Sequence, residues 1–207
     1  EFVNQNKKEE LTNLYKRTSL TLLIVSGLIF VLIISNINQL YALIPETYHA
    51  GVQIVFLISL VKLFDSSLGN NVSILFNSNY YHFVLYSGVA LAVLAFVLNL
   101  WLIPIYGIYG AAYATFIAFF LYNLIKLIFV YLKFNIQPFT KKSIWIISLI
   151  CVFLLLFYFW DFSYLPLVNI ILKSIIIVIA YVSLTFVFRL SEDITGLLAS
   201  AKKTLKK

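Results

Sequence analysis

Six apolar runs, parted by short polar segments, constrain this chain more than any other feature of it. Each falls within the roughly 17–25 residues that a helix needs to cross a hydrocarbon core of about 30 Å. Such runs predict an all-α, polytopic transmembrane helix bundle of about six spans, because lipid leaves no water to satisfy an irregular backbone. Composition agrees: 62% of residues are hydrophobic and 11% are charged, which excludes an ordinary soluble domain. The formal charge of +7 could point to nucleic acid. Its basic residues, however, flank the apolar runs, the pattern of topology signals and anionic-lipid contact. Membrane lipids are therefore the expected partners, and no nucleic acid is.

The expected plan is a polar arm over residues 1–17, a four-span core over 18–134, a loop over 135–142, two further spans over 143–190, and a basic tail over 191–207. The spans are placed at about Thr18–Ile34, Val52–Phe76, Phe83–Ile103, Gly107–Tyr131, Ser143–Trp160 and Leu167–Phe188. Lys7, Lys8, Lys16 and Arg17 precede the first span; Lys133, Lys141 and Lys142 follow the fourth; Lys202, Lys203, Lys206 and Lys207 end the tail. All lie on one side of a six-span plan, while the three opposite loops hold no Lys or Arg. Positive-inside bias puts that side, and both termini, in the cytoplasm.

The second span is the awkward one. It is apolar to Phe64, reads DSSLGNN, then turns apolar again. A stop at Asp65 would leave it too short to cross, so a single helix with a polar middle, kinked or unwound at Gly69, fits better. Between the third and fourth spans runs NLWLIPIYGIYGAAYAT, from Asn99 to Thr115. Pro104 cannot continue a helix interior and Gly107 permits a tight reversal, so this stretch predicts a transmembrane hairpin. Trp101, Tyr106 and Tyr109 suit a turn at headgroup level. Beyond it, Gly110, Ala114 and Ala118 recur every fourth residue, as do Gly107, Ala111 and Thr115, giving a small-residue face for close packing.

The pattern N-x-x-LIP-x-YG-x-x-GAA-x-AT in this stretch resembles the second half of bacterial polysaccharide (O-antigen type) flippases of the multidrug/oligosaccharidyl-lipid/polysaccharide exporter superfamily. The upstream segment ETYHAGVQIVFLISL is similar to that family's lead into the next span. The likeness runs from about Lys7 to Phe134; beyond Lys141 only hydropathy matches. It implies a flippase that moves an isoprenoid diphosphate-linked oligosaccharide across the cytoplasmic (inner) membrane, as in lipopolysaccharide export, by alternating access between two lobes. It also implies that the N-terminal lobe is missing here. The lack of any methionine, and of a signal-peptide cleavage pattern at the first run, likewise makes this chain the expected C-terminal piece of something longer.

Lys62 and Asp65 are the leading candidates for function. Lys62 lies about ten residues into the second span, on the order of 15 Å deep, where a charge costs roughly 2.5–3.5 kcal/mol on insertion scales. Asp65, three residues on, shares its helical face and could neutralise it as a buried structural pair. Alternatively Lys62 lines a cavity and attracts an anionic headgroup, with Asp65 tuning it or joining in ion coupling. Asn70 and Asn99 are further cavity candidates; for these and for Asn71 and Asn123, interhelical hydrogen bonding is the expected role. Lys173 is expected to snorkel outward, and Lys126 and Arg189 to anchor cytoplasmic span ends. The sequon Asn71-Val72-Ser73 falls inside a span and carries no meaning.

His49 and His82 fall on opposite sides of the membrane, Cys151 stands alone, and no nucleophile has a base at useful spacing. No enzyme activity, metal or cofactor is expected. A drug/cation antiporter of the same superfamily would favour acidic cavity residues, whereas Lys62 is as prominent as Asp65. A polytopic polysaccharide polymerase or ligase would need a long basic outer loop, and a plain membrane anchor would not need DSSLGNN.

Overall fold

The computed structural model describes residues 8–49, 51–188 and 190. Lys7, Arg189 and the basic tail over 191–207 lie outside the described residues. Among the described residues the secondary structure is all helical: α1 (Lys8–Ala42), a short 3-10 turn (Glu46–Tyr48), α2 (Gly51–Ser67), α3 (Asn71–Phe76), α4 (Tyr81–Tyr106), α5 (Ile108–Phe134), α6 (Lys141–Tyr158) and α7 (Pro166–Val187). Five of them, α1, α4, α5, α6 and α7, are long and apolar enough to cross a membrane. With the broken pair α2–α3 they make an all-α polytopic chain of about six spans.

Helix ends follow local chemistry. Thr140 and Ser143 form a capping box ahead of α6, and Pro166 opens α7, where its missing N–H would be unpaired in any case. Asn135 ends α5 in the left-handed region with its N–H on the Tyr131 carbonyl. The first helix departs most from the hydropathy boundaries. It is a single helix of 35 residues, continuous through Lys16 and Arg17 at one end and Ser35 and Asn36 at the other. Polarity limits where lipid contact stops, not where i to i−4 hydrogen bonding stops.

The chain divides into two compact units, one comprising Glu1–Ser19 and Gln53–Pro138 and the other Leu20–Val52 and Phe139–Lys207. In the first, the hairpin α4–α5 is the principal packing. Pro104 does not end α4, which runs on to Tyr106; the turn is Gly107 alone, at φ 58° and ψ −133°, a conformation that needs glycine. The row Gly110, Ala114, Ala118 is buried on α5, and a methyl on Gly110 would overlap the Leu102 carbonyl of α4. The second row is less covered: Ala111 and Thr115 are half-buried, Thr115 donating to the Ala111 carbonyl at 2.8 Å, and Gly107 is exposed. No residue of α4 is buried. Leu11 and Tyr15 of α1 pack with Ile74, Leu75, Val130 and Ile136, and Phe83 stacks on Phe129 at 3.6 Å.

In the second unit the remainder of α1 packs with α6 and α7. Tyr181 donates to the Ile24 carbonyl at 3.2 Å, and its ring meets Phe153 edge-on. Ile146, Ile150, Phe153 and Phe157 form the buried stripe of α6 at helical spacing.

Candidate functional site

The site in the first unit is built around the interruption in the second span. After Ser67 the helix opens, and Gly69 takes φ 59°. Two consequences of the break are met locally. Ser19 of α1 donates its hydroxyl to the freed Ser67 carbonyl, and Leu68 and Gly69 close tight bonds back to Asp65 and Ser66 at 3.2 and 3.1 Å. Any side chain at Gly69 would press on the Ser19 backbone, its nearest atoms 2.8–2.9 Å away. The single helix expected here is therefore two, α2 and α3, parted where Gly69 was expected to kink or unwind it, and α1 is what fills against the break.

Asp65 stands in the last turn of α2, beside this break. Its carboxylate pairs with Lys126 of α5 at 3.3 Å and not with Lys62 on its own helix. Lys126 is 3% exposed, while the Asp65 side chain is 44% exposed. The ammonium also lies over the Tyr122 ring at 4.3 Å. Lys126 is therefore no interfacial anchor; it is the buried cation of this unit. Hydropathy along one helix could not show this, since its partner lies 61 residues away in sequence.

Lys62 is exposed on α2, with Nζ 5.1 Å from the centre of the Phe119 ring on α5. The site thus gathers two ammonium groups and one carboxylate among apolar helices, with a cationic surplus. Asn123, one turn from Lys126 on α5, is fully buried with neither amide atom hydrogen-bonded, and the Asn71 amide nitrogen is likewise buried without a partner. Buried polar groups in this state are rare and call for a water or ligand partner.

The other sequence candidates fall away from these charges or spend their polarity locally. Asn99 donates to the Ala95 carbonyl of its own helix at 2.7 Å, so the expected interhelical bond is not made. Asn70 caps α3 through its backbone alone. In the second unit, Lys173 is 1% exposed and held by Asp161 at 3.1 Å and by the Ser35 carbonyl at 2.6 Å. It does not snorkel, because a carboxylate in the α6–α7 turn reaches it first. Among the described residues no three His, Cys, Asp or Glu side chains come together as a metal centre.

Comparison of the chain with protein-family models, with characterised proteins and with solved structures finds no match in any of the three.

Proposed function

We propose that this chain is the second-lobe portion of a flippase that carries an isoprenoid diphosphate-linked oligosaccharide across a bacterial cytoplasmic membrane. The observation that carries the reading is the surplus cation. Asp65 is engaged by Lys126, so the ammonium of Lys62, exposed on α2 ahead of the break, has no carboxylate of its own within this site. A diphosphate headgroup supplies the missing negative charge, and the sugars that follow it need hydrogen-bonding groups that hydrocarbon lacks. Asn123 and Asn71 offer such groups. The Asn99–Thr115 resemblance supports the same family. A cation antiporter fits less well, since its cavity carboxylate would already face a lysine.

The test is Lys62→Ala in the full-length protein, with membrane abundance matched, in a strain whose surface polysaccharide depends on it. Flipping is expected to fall by about tenfold or more, the loss that removing roughly 1.4 kcal/mol of headgroup attraction produces. Unchanged surface polysaccharide would remove Lys62, and with it this reading of the site.

A further inference from the structure

The second unit holds a polar cluster that headgroup binding does not use. Lys173 donates to the Ser35 carbonyl at 2.6 Å and to Asp161 Oδ1 at 3.1 Å. Asn169, one turn earlier and fully buried, donates to the same carboxylate oxygen at 3.3 Å and accepts from the Phe162 N–H at 3.3 Å. On α1, Asn36 donates to Ser174 Oγ at 3.1 Å and to the Leu32 carbonyl at 2.9 Å. Two oxygens of this cluster have no partner: Ser35 Oγ and Asn36 Oδ1, on residues that are each 3% exposed. The ammonium of Lys173 is thus tethered to the Ser35 carbonyl and Asp161, and the same two α1 residues, Ser35 and Asn36, carry buried side-chain oxygens that lack a donor or a cation.

An ammonium and an alkali cation ask for the same surroundings, several oxygens and one negative charge. Asp161 supplies one charge and Lys173 cancels it. A second cation beside a charged Lys173 would leave the cluster at +1 within apolar helices, which is strongly disfavoured. Exchange avoids that cost. A divalent ion would leave a net charge even after exchange.

We propose that this cluster is a monovalent alkali-cation site at which the cation and the Lys173 proton replace one another. The ammonium gives its proton to water, the cation takes the Asp161 carboxylate and the Ser35 and Asn36 oxygens, and the cluster keeps its net charge of zero. Asp161, whose side chain is 38% exposed, is the route in and out. The other titratable groups of this unit, among the described residues, are Tyr41, Glu46, Tyr48 and His49 at and beyond the end of α1, Tyr164 in the turn, Tyr181 on α7, and Lys141, Lys142, Cys151 and Tyr158 on α6; Leu20 to Leu40 of α1 holds none. The proposal stands on this unit alone and does not rest on the flippase reading.

The experiment adds sodium or potassium chloride, against choline chloride at equal ionic strength, to the full chain in lipid nanodiscs under weak buffer. One proton released per alkali cation bound is expected, so apparent affinity should rise with pH. Lys173→Met, of similar length and apolar, should bind the cation more tightly, without pH dependence and without proton release. Asp161→Asn should abolish binding. Should Lys173→Met not fold, Lys173→Gln serves the same purpose, and the wild-type proton release decides the matter by itself. Release no greater than with choline, or an affinity flat in pH, would overturn the proposal.

Discussion

Asp65 shows how the partner of a charge is chosen inside an apolar bundle. Lys62 was near enough in sequence, three residues away on the same face, but exposed pairs at that spacing contribute only about 0.2–0.5 kcal/mol. Lys126 is buried and has no comparable freedom to reach water, so an unpaired state costs it more. The prediction is asymmetric. Asp65→Asn should destabilise the chain by on the order of 1–3 kcal/mol, below the roughly 3–5 of a fully buried pair because Asp65 is half-exposed. Lys126→Met, which removes the buried charge and keeps the volume, should cost less than about 1 kcal/mol, and the double variant should recover most of the Asp65→Asn loss. Thermal or denaturant unfolding of the four proteins in one detergent measures the coupling; additive losses would show that the two groups do not interact. The residues of this site were legible one at a time, as ionisable groups in an apolar run. Their pairing was not, because it depends on which turn of α5 faces α2. The same limit hid Lys173, whose carboxylate lies 12 residues earlier in a turn of little hydropathic character.

Elements were read more faithfully, since hydropathy and breaker residues act locally. The hairpin, the buried alanine row and the interruption at DSSLGNN all follow from residues within a turn or two of the feature. Pro104 is the instructive departure: a proline within the last turn removes one bond to Leu100 but leaves the reversal to Gly107. Two glycines carry testable weight. Gly69→Ala combines a left-handed backbone with contact against the Ser19 main chain, and neither can be relieved by a rotamer change. A loss of about 2–4 kcal/mol is expected, summed from backbone strain and overpacking. Gly110→Val should separate α4 from α5 by forcing a branched side chain against the Leu102 carbonyl, whereas Gly88→Ala, in open space on α4, should be close to neutral. Crosslinking of cysteines placed across the hairpin reports the separation; unchanged crosslinking in Gly110→Val would show that the close approach is dispensable.

At the scale of the whole molecule the side on which every later loop lies turns on the broken pair α2–α3. Alone, α2 is 17 residues long, ~26 Å, and α3 adds only six beyond the break. If the pair re-entered the membrane instead of crossing it, every later loop would change sides. Lys133, Lys141 and Lys142 would then face opposite Lys16 and Arg17, against the bias that orients membrane proteins. Six crossings keep these charges on one face. Single cysteines at Glu46, Asn79, Gln137 and Ser163, in a Cys151→Ser background because Cys151 is exposed, separate the two arrangements. With six crossings, a membrane-impermeant maleimide should label positions 46 and 163 in intact cells, and 79 and 137 only after lysis. Labelling of 46 and 79 from the same side would make the broken helix re-entrant. The basic loop after α5 would then have to be held on its face by something other than its charge.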